Sequence, residues 1–121
     1  MTNQEFFTKC VTHVLNQTER SAQGGSCLYA GPNGNSCAIG VFLPRDLAKK
    51  ADKGEATDIF EVLRRHSKIA EILDDVDIHL MRKCQRVHDE VHDRDEDGLW
   101  ELRKYYRLIA KEFGLEMPSG V

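Results

Sequence analysis

Apolar residues recur at three- and four-residue spacing along most of this chain, and that period limits its fold more than any other feature of the sequence. Near the start, Phe6, Cys10 and Val14 are each four residues apart, so they lie on one face of a helix. The sequence therefore predicts a mainly α-helical protein of four to six helices. We place the helical segments at residues 3–20, 45–52, 57–66, 69–73, 77–92 and 99–113.

One stretch departs from the helical period and predicts strands instead. Two short apolar runs flank Gly31-Pro32-Asn33-Gly34-Asn35, a segment dense in residues that form turns. An Asn-Gly pair between apolar runs is a strong short-range indication of a hairpin. We predict strands at residues 26–30 and 36–42. The predicted fold class is therefore mainly α, formally α+β, with one β-hairpin inserted after the first helix.

The register of this hairpin depends on the length of its loop. A two-residue loop pairs Ala30 with Cys37, whereas a three-residue loop places Tyr29 opposite Cys37. Because side chains alternate between the two faces of a strand, the register decides whether Cys27 and Cys37 share a face. The sequence leaves that question open. A lone hairpin is only marginally stable in water, so we expect it to pack on helices.

Length, charge and composition limit the class of protein. A chain of 121 residues has the size of one domain, so we predict a single domain spanning residues 1–121. The formal net charge of −3 argues against binding to duplex nucleic acid, because such proteins usually carry a basic excess. No apolar run approaches membrane-spanning length and the N-terminus lacks a secretory signal, so we expect a cytoplasmic protein with no membrane partner.

The four cysteines are expected to be reduced thiols, because the cytoplasm does not favour disulfides. No Cys-x-x-Cys pair occurs, so the usual redox motif and zinc-knuckle spacing are absent from the sequence. A Cys27 or Cys37 thiolate beside a histidine would be a catalytic nucleophile. A small buried side chain is the commoner role of a cysteine, and we favour it.

The sharpest catalytic pattern is His88-Asp89-Glu90-Val91-His92. Histidines four residues apart share a helix face and can both bind one metal ion. A zinc- or manganese-dependent hydrolase using His88, Asp89 and His92 is therefore an alternative. The zinc-protease motif needs glutamate directly after its first histidine, and here that position holds Asp89. Our leading prediction is therefore no cofactor and no catalytic residue.

The last predicted helix carries aromatic and basic residues together. Helical spacing places Tyr106 in the core, whereas Trp100 and Tyr105 are expected to be half exposed beside Arg103 and Arg107. A face of this kind can bind a partner or a nucleotide, although packing is the commoner explanation for aromatic residues.

The predicted hairpin also carries a family resemblance. Cys27-Leu28-Tyr29, the Gly/Asn turn, Cys37-Ala38-Ile39-Gly40 and Leu43-Pro44 resemble a pattern in a family of small uncharacterised bacterial and phage proteins. Gln85-Arg86-Val87-His88-Asp89 is similar to the helix that accompanies the hairpin in that family. Arg45 is a departure, since the family has an acidic residue directly after the proline. The resemblance implies a phage or mobile-element context and no particular activity.

These observations predict a small non-enzymatic binding protein that engages a host protein or sequesters a small, nucleotide-like ligand. We expect the site between the hairpin and the helix at residues 77–92. Its predicted residues are Tyr29, Asn33, Cys37, Gln85, His88 and Asp89. Tyr29 would stack on the ligand, while the polar side chains would form hydrogen bonds with it. A third hypothesis is a homo-oligomeric subunit whose interface is the hairpin or the last helix.

Overall fold

The structure is a computed structural model, and it describes residues 1–17, 22–23, 26–27, 29, 37–53, 59–91 and 93–120. These ranges contain six α-helices and two very short strands. In chain order they are α1 (Asn3–Asn16), β1 (Ala22–Gln23), β2 (Ser26–Cys27), α2 (Arg45–Lys53), α3 (Ile59–Arg65), α4 (Ser67–Ile72), α5 (Ile78–Glu90) and α6 (Glu96–Phe113). The predicted helical character is confirmed. None of the helices in these ranges is long and apolar enough to cross a membrane.

Polar side chains at the helix ends explain where the long helices start. Thr2 and Glu5 form reciprocal hydrogen bonds of 3.1 Å at the start of α1, each side chain accepting from the backbone N–H of the other. The bond from the Thr2 backbone is the main reason that the pKa of Glu5 is lowered. Asp95 caps α6 by accepting from the N–H of Gly98 at 2.9 Å, so α6 begins at Glu96, before the predicted start at residue 99.

The core is formed where α1, α5 and α6 pack on one another. Tyr106 of α6 is fully buried there, and its hydroxyl donates to the backbone carbonyl of Cys84 at 3.1 Å. The Tyr106 ring meets Phe7 edge to face, with ring centroids 6.3 Å apart. Cys10 and Cys84 are buried at the same contact, and burial raises the pKa of the Cys10 thiol. Both cysteines therefore serve as small apolar side chains.

The predicted β-hairpin is wrong, and so is the α+β fold class, because the protein is helical. Where the second strand was expected, residues 37–39 form a turn that leads into a short 3-10 helix, Gly40–Phe42. The two strands among the described residues have two residues each and pair Ala22 with Cys27 and Gln23 with Ser26. β2 lies at the start of the predicted first strand, but its partner precedes it in the chain. The predicted turn at Asn33-Gly34 lies outside the described residues.

The backbone N–H groups of this segment show why it does not form a strand. Ile39 donates to Oε1 of Gln85 on α5 at 3.3 Å. Gly40 donates to Sγ of Cys37 at 3.2 Å, and Val41 donates to the Cys37 carbonyl at 3.3 Å. A strand would offer such groups to a neighbouring strand. Here one long-range side chain and the turn itself accept them, so the segment curls onto α5 instead.

Gly40 is needed where this turn passes Tyr29. A Cβ atom added at Gly40 would stand 2.0 Å from the backbone carbonyl oxygen of Tyr29. Such an approach between two backbone segments is open only to a residue without a side chain. The turn also contributes to the core, because Phe42 stacks on Phe6 of α1 with centroids 4.8 Å apart.

We expect Gly40→Ala to lower the free energy of unfolding by about 1–3 kcal/mol, because the added methyl group forces the two segments apart. Urea unfolding followed by circular dichroism measures the change. Lys50→Ala is the control: its side chain is exposed on α2, and its expected effect is within about 0.5 kcal/mol. Equal stability of Gly40→Ala and the wild type would contradict the close contact.

Candidate functional site

Five of the six predicted site residues lie in the described part of the chain, and Asn33 lies outside it. The structure joins three of them on α5 in one hydrogen-bonded group. Gln85 donates from Nε2 to Oδ1 of Asp89 at 2.7 Å, and Nδ1 of His88 lies 3.0 Å from the same oxygen. Through its Oε1, Gln85 also holds the N–H of Ile39. The group therefore ties the 3-10 turn to α5.

Tyr29 and Cys37 are buried beside this group. The N–H of Tyr29 donates to Oδ1 of Asp52 on α2 at 2.8 Å, which fixes the backbone next to Gly40. Cys37 is almost completely buried, and burial raises the pKa of its thiol. Both side chains are more than 90% buried, with 7% of Tyr29 and 1% of Cys37 exposed.

Asp89 is more accessible than His88 in this cluster. Its side chain is 38% exposed, whereas the His88 ring is fully buried. Arg94 lies at the C-terminal end of α5, next to His88. Its guanidinium group donates hydrogen bonds to the backbone carbonyls of His88 and Val91. A cation at this end also suits the negative pole of the helix dipole. These hydrogen bonds form a polar contact that holds the 3-10 turn on α5, with the Asp89 carboxylate at its edge.

The residues of the metal hypothesis are only partly described. His88 and Asp89 contact each other, and His92 lies outside the described residues. Within the described ranges, no group of three or more His, Cys, Asp or Glu side chains could hold a metal ion. The hydrolase with zinc or manganese stays a prediction from the sequence.

A groove between α5 and α6 lies apart from the six predicted site residues, although it includes Tyr105 of the aromatic and basic face expected on the last helix. Its volume is about 270 Å³. Val87 from α5, Val91 directly after α5 and Ile109 from α6 supply apolar lining, and Tyr105 and Leu108 of α6 stand beside them. Leu108 is 57% exposed and Tyr105 is 42% exposed, so this lining is open to solvent.

Charged side chains from both helices stand around the groove in opposite-sign pairs. Nζ of Lys83 on α5 lies 2.6 Å from Oε1 of Glu112 on α6, which links the two helices directly. Arg86 and Glu90, one turn apart on α5, approach to 4.0 Å. Because the charges in each pair neutralise each other, the groove has an apolar lining and no net charge from these two pairs. The sequence offered two indications: Tyr105 was expected to be half exposed on the last helix, and Leu108 falls between the core positions Tyr106 and Ile109 and so points outward.

Comparisons with protein-family models, with curated proteins and with solved structures found no match to this chain. The family resemblance drawn from residues 27–44 and 85–89 therefore stays a prediction.

We expect Gln85→Met to lower the free energy of unfolding by about 1–3 kcal/mol, because it leaves the N–H of Ile39 without its acceptor. Methionine keeps the length and helix propensity of glutamine, so packing is largely preserved. Arg86→Met is the control at the next position, where the side chain is 70% exposed and the expected change is within about 0.5 kcal/mol. Urea unfolding of both variants measures the difference, and equal losses would contradict the bridging role of Gln85.

Cys37 is expected to resist alkylation in the folded protein. The thiolate is the reactive form, and burial both raises the pKa of this thiol and blocks access to it. We expect iodoacetamide at about pH 8, just below the usual thiol pKa, to modify Cys37 only after urea is added. Mass spectrometry of proteolytic peptides identifies the modified cysteine. Equally fast modification with and without urea would instead favour a reactive nucleophile.

Proposed function

We propose that this is a non-enzymatic binding protein that engages another protein, and that it does so through the groove between α5 and α6. The observation that carries the proposal is the pair of exposed side chains, Tyr105 and Leu108, beside an apolar groove. Solvent exposure of large apolar side chains costs free energy, and adjacent exposed ones on a folded surface typically mark an interaction site. Tyrosine is also enriched among the residues that contribute most to protein interfaces.

The size of the groove favours a protein segment over a small ligand. Pockets that enclose small molecules usually have volumes of about 300–1,000 Å³ and bury most of the ligand. The groove falls just below that range and opens along the exposed sides of two antiparallel helices. A partner helix can lay its apolar face along such a surface, with individual side chains entering the groove. Of the two forms of binding considered from the sequence, engagement of a protein therefore has more support than sequestration of a small ligand.

The residues around His88 support this proposal indirectly. The buried His88 ring and the Gln85 amide are engaged with neighbouring groups that hold the 3-10 turn on α5. Their polarity thus has a role in stability without any ligand. The phage or mobile-element context implied by the family resemblance makes a host protein the natural partner, and it belongs to the same proposal.

Selection from a displayed library of amphipathic helical peptides tests this proposal with the purified protein as the target. Peptides of about 15 residues are long enough to present four helical turns. We expect enrichment of sequences with apolar residues at three- and four-residue spacing. We expect Leu108→Asp to weaken their binding by about 10-fold or more, because it places a charge against the apolar face of the peptide.

Phe60→Asp is the matched control for Leu108→Asp, because Phe60 is another exposed apolar residue and lies on α3, outside the groove. It should leave peptide binding unchanged. Equal binding by wild type and Leu108→Asp would contradict the proposed surface. Hydrolysis of a nucleotide or ester by the purified protein, lost in both His88→Ala and Asp89→Asn, would contradict a non-enzymatic function.

A further inference from the structure

A row of cations runs along the outer face of α6, next to the groove. Lys104, Arg107 and Lys111 are three and four residues apart, so they share one helix face, and all three are exposed. Trp100 stands one turn before Lys104 and is 60% exposed. From Trp100 to Lys111 the face extends for about 16 Å at 1.5 Å per residue.

Among the described residues these cations have no carboxylate partner, in contrast to those on the α5 side of the groove. Over the part of the chain that the structure describes, no carboxylate oxygen lies within 4.0 Å of Lys104, Arg107 or Lys111. The ammonium group of Lys104 instead lies 5.4 Å from the centre of the Trp100 ring. Positive charge thus accumulates on this face of a protein whose formal net charge is −3.

Leu108 connects the cation row with the groove. It is four residues after Lys104 and three before Lys111, so it lies on the same face as the row, and it also lines the groove. A partner that fills the groove with an apolar side chain therefore brings its adjacent surface against the cations. The groove and the cation row are therefore parts of one surface.

We infer that the occupant of this surface is an acidic amphipathic helix of another protein. Its apolar residues enter the α5–α6 groove, and its Asp or Glu side chains face Lys104, Arg107 and Lys111. This inference rests on the proposed function and names the chemistry of the partner. Opposite charges across an interface raise the association rate and select the partner, and among the described cations next to the groove those without a carboxylate within 4.0 Å lie on α6.

Two other occupants fit the surface less well. In a two-fold symmetric dimer, the same patch meets itself, so α6 would bring its cation row against an identical row. A single-stranded nucleic acid would match the cations and could stack a base on Trp100. It has no apolar side chains for the groove, however, so it would leave that part of the surface uncovered.

Two synthetic peptides of about 15 residues test the inference, since a helix of that length covers the whole row. Both carry leucine at three- and four-residue spacing; one has glutamate and the other lysine at the flanking positions. Neither contains tryptophan, so the fluorescence of Trp100, the single tryptophan of the chain, reports binding at the site. We expect a blue shift with the glutamate peptide, and an affinity about 10-fold or more above that of the lysine peptide.

Charge reversal on α6 is the second arm of the experiment. Arg107→Glu combined with Lys111→Glu should weaken the glutamate peptide by about 10-fold and strengthen the lysine peptide. Lys49→Glu combined with Lys50→Glu changes the net charge equally on exposed positions of α2 and should alter neither affinity. Raising the salt concentration to about 0.5 M should weaken the glutamate peptide with wild type, because exposed charges are screened.

Several outcomes would overturn the inference. Equal or tighter binding of the lysine peptide would show that the groove binds helices without preferring acidic ones, which leaves the proposed function intact. A single-stranded oligonucleotide that displaces the glutamate peptide at a concentration below that of the peptide itself would identify single-stranded nucleic acid as the ligand. Light scattering that shows a dimer, lost in Leu108→Asp, would identify a second copy. Failure of both peptides to bind would overturn the proposed function together with the inference.

Discussion

The packing of α1, α5 and α6 around Tyr106 is the contact on which the rest of the structure depends. A tyrosine buried in this way must satisfy its hydroxyl, and the carbonyl of Cys84 on α5 accepts that bond. The contact aligns α5 against α6 with their inner faces buried. Their outer faces remain exposed as neighbours, which creates the groove at Leu108 and the cation row along α6. Core and candidate binding surface therefore use opposite sides of the same two helices.

A second, polar contact attaches the irregular part of the chain to this core. The Gln85 amide accepts from the backbone of Ile39 and donates to Asp89, so one side chain satisfies a turn and a carboxylate together. Residues that recognise a ligand and residues that hold a turn have the same chemistry, namely amide, imidazole and carboxylate groups. What separates the two roles is burial, and the His88 ring and Cys37 are buried.

Periodicity predicted the helices well because each amphipathic segment carries its own apolar face. Cys10 and Tyr106 lie on predicted apolar faces and are buried in the core. The ends were less accurate. α1 ends at Asn16 although the apolar period suggested residue 20, and α6 starts early because Asp95 caps it.

Of the candidate site, the sequence predicted that residues near Cys37 and Gln85 meet. It did not predict that a 3-10 turn rather than a strand brings them together.

The sequence by itself determined the helical character, the core faces of the long helices and the unusual segment that separates α1 from α2. Those features follow from local spacing and capping, which act within a few residues. Only the tertiary structure decided the conformation of residues 37–42, because the acceptor for the Ile39 N–H lies 46 positions away, on α5. It also decided which outward residues form one surface. Leu108 and Val87 line a common groove because two helices pack side by side, and spacing along one helix cannot show that.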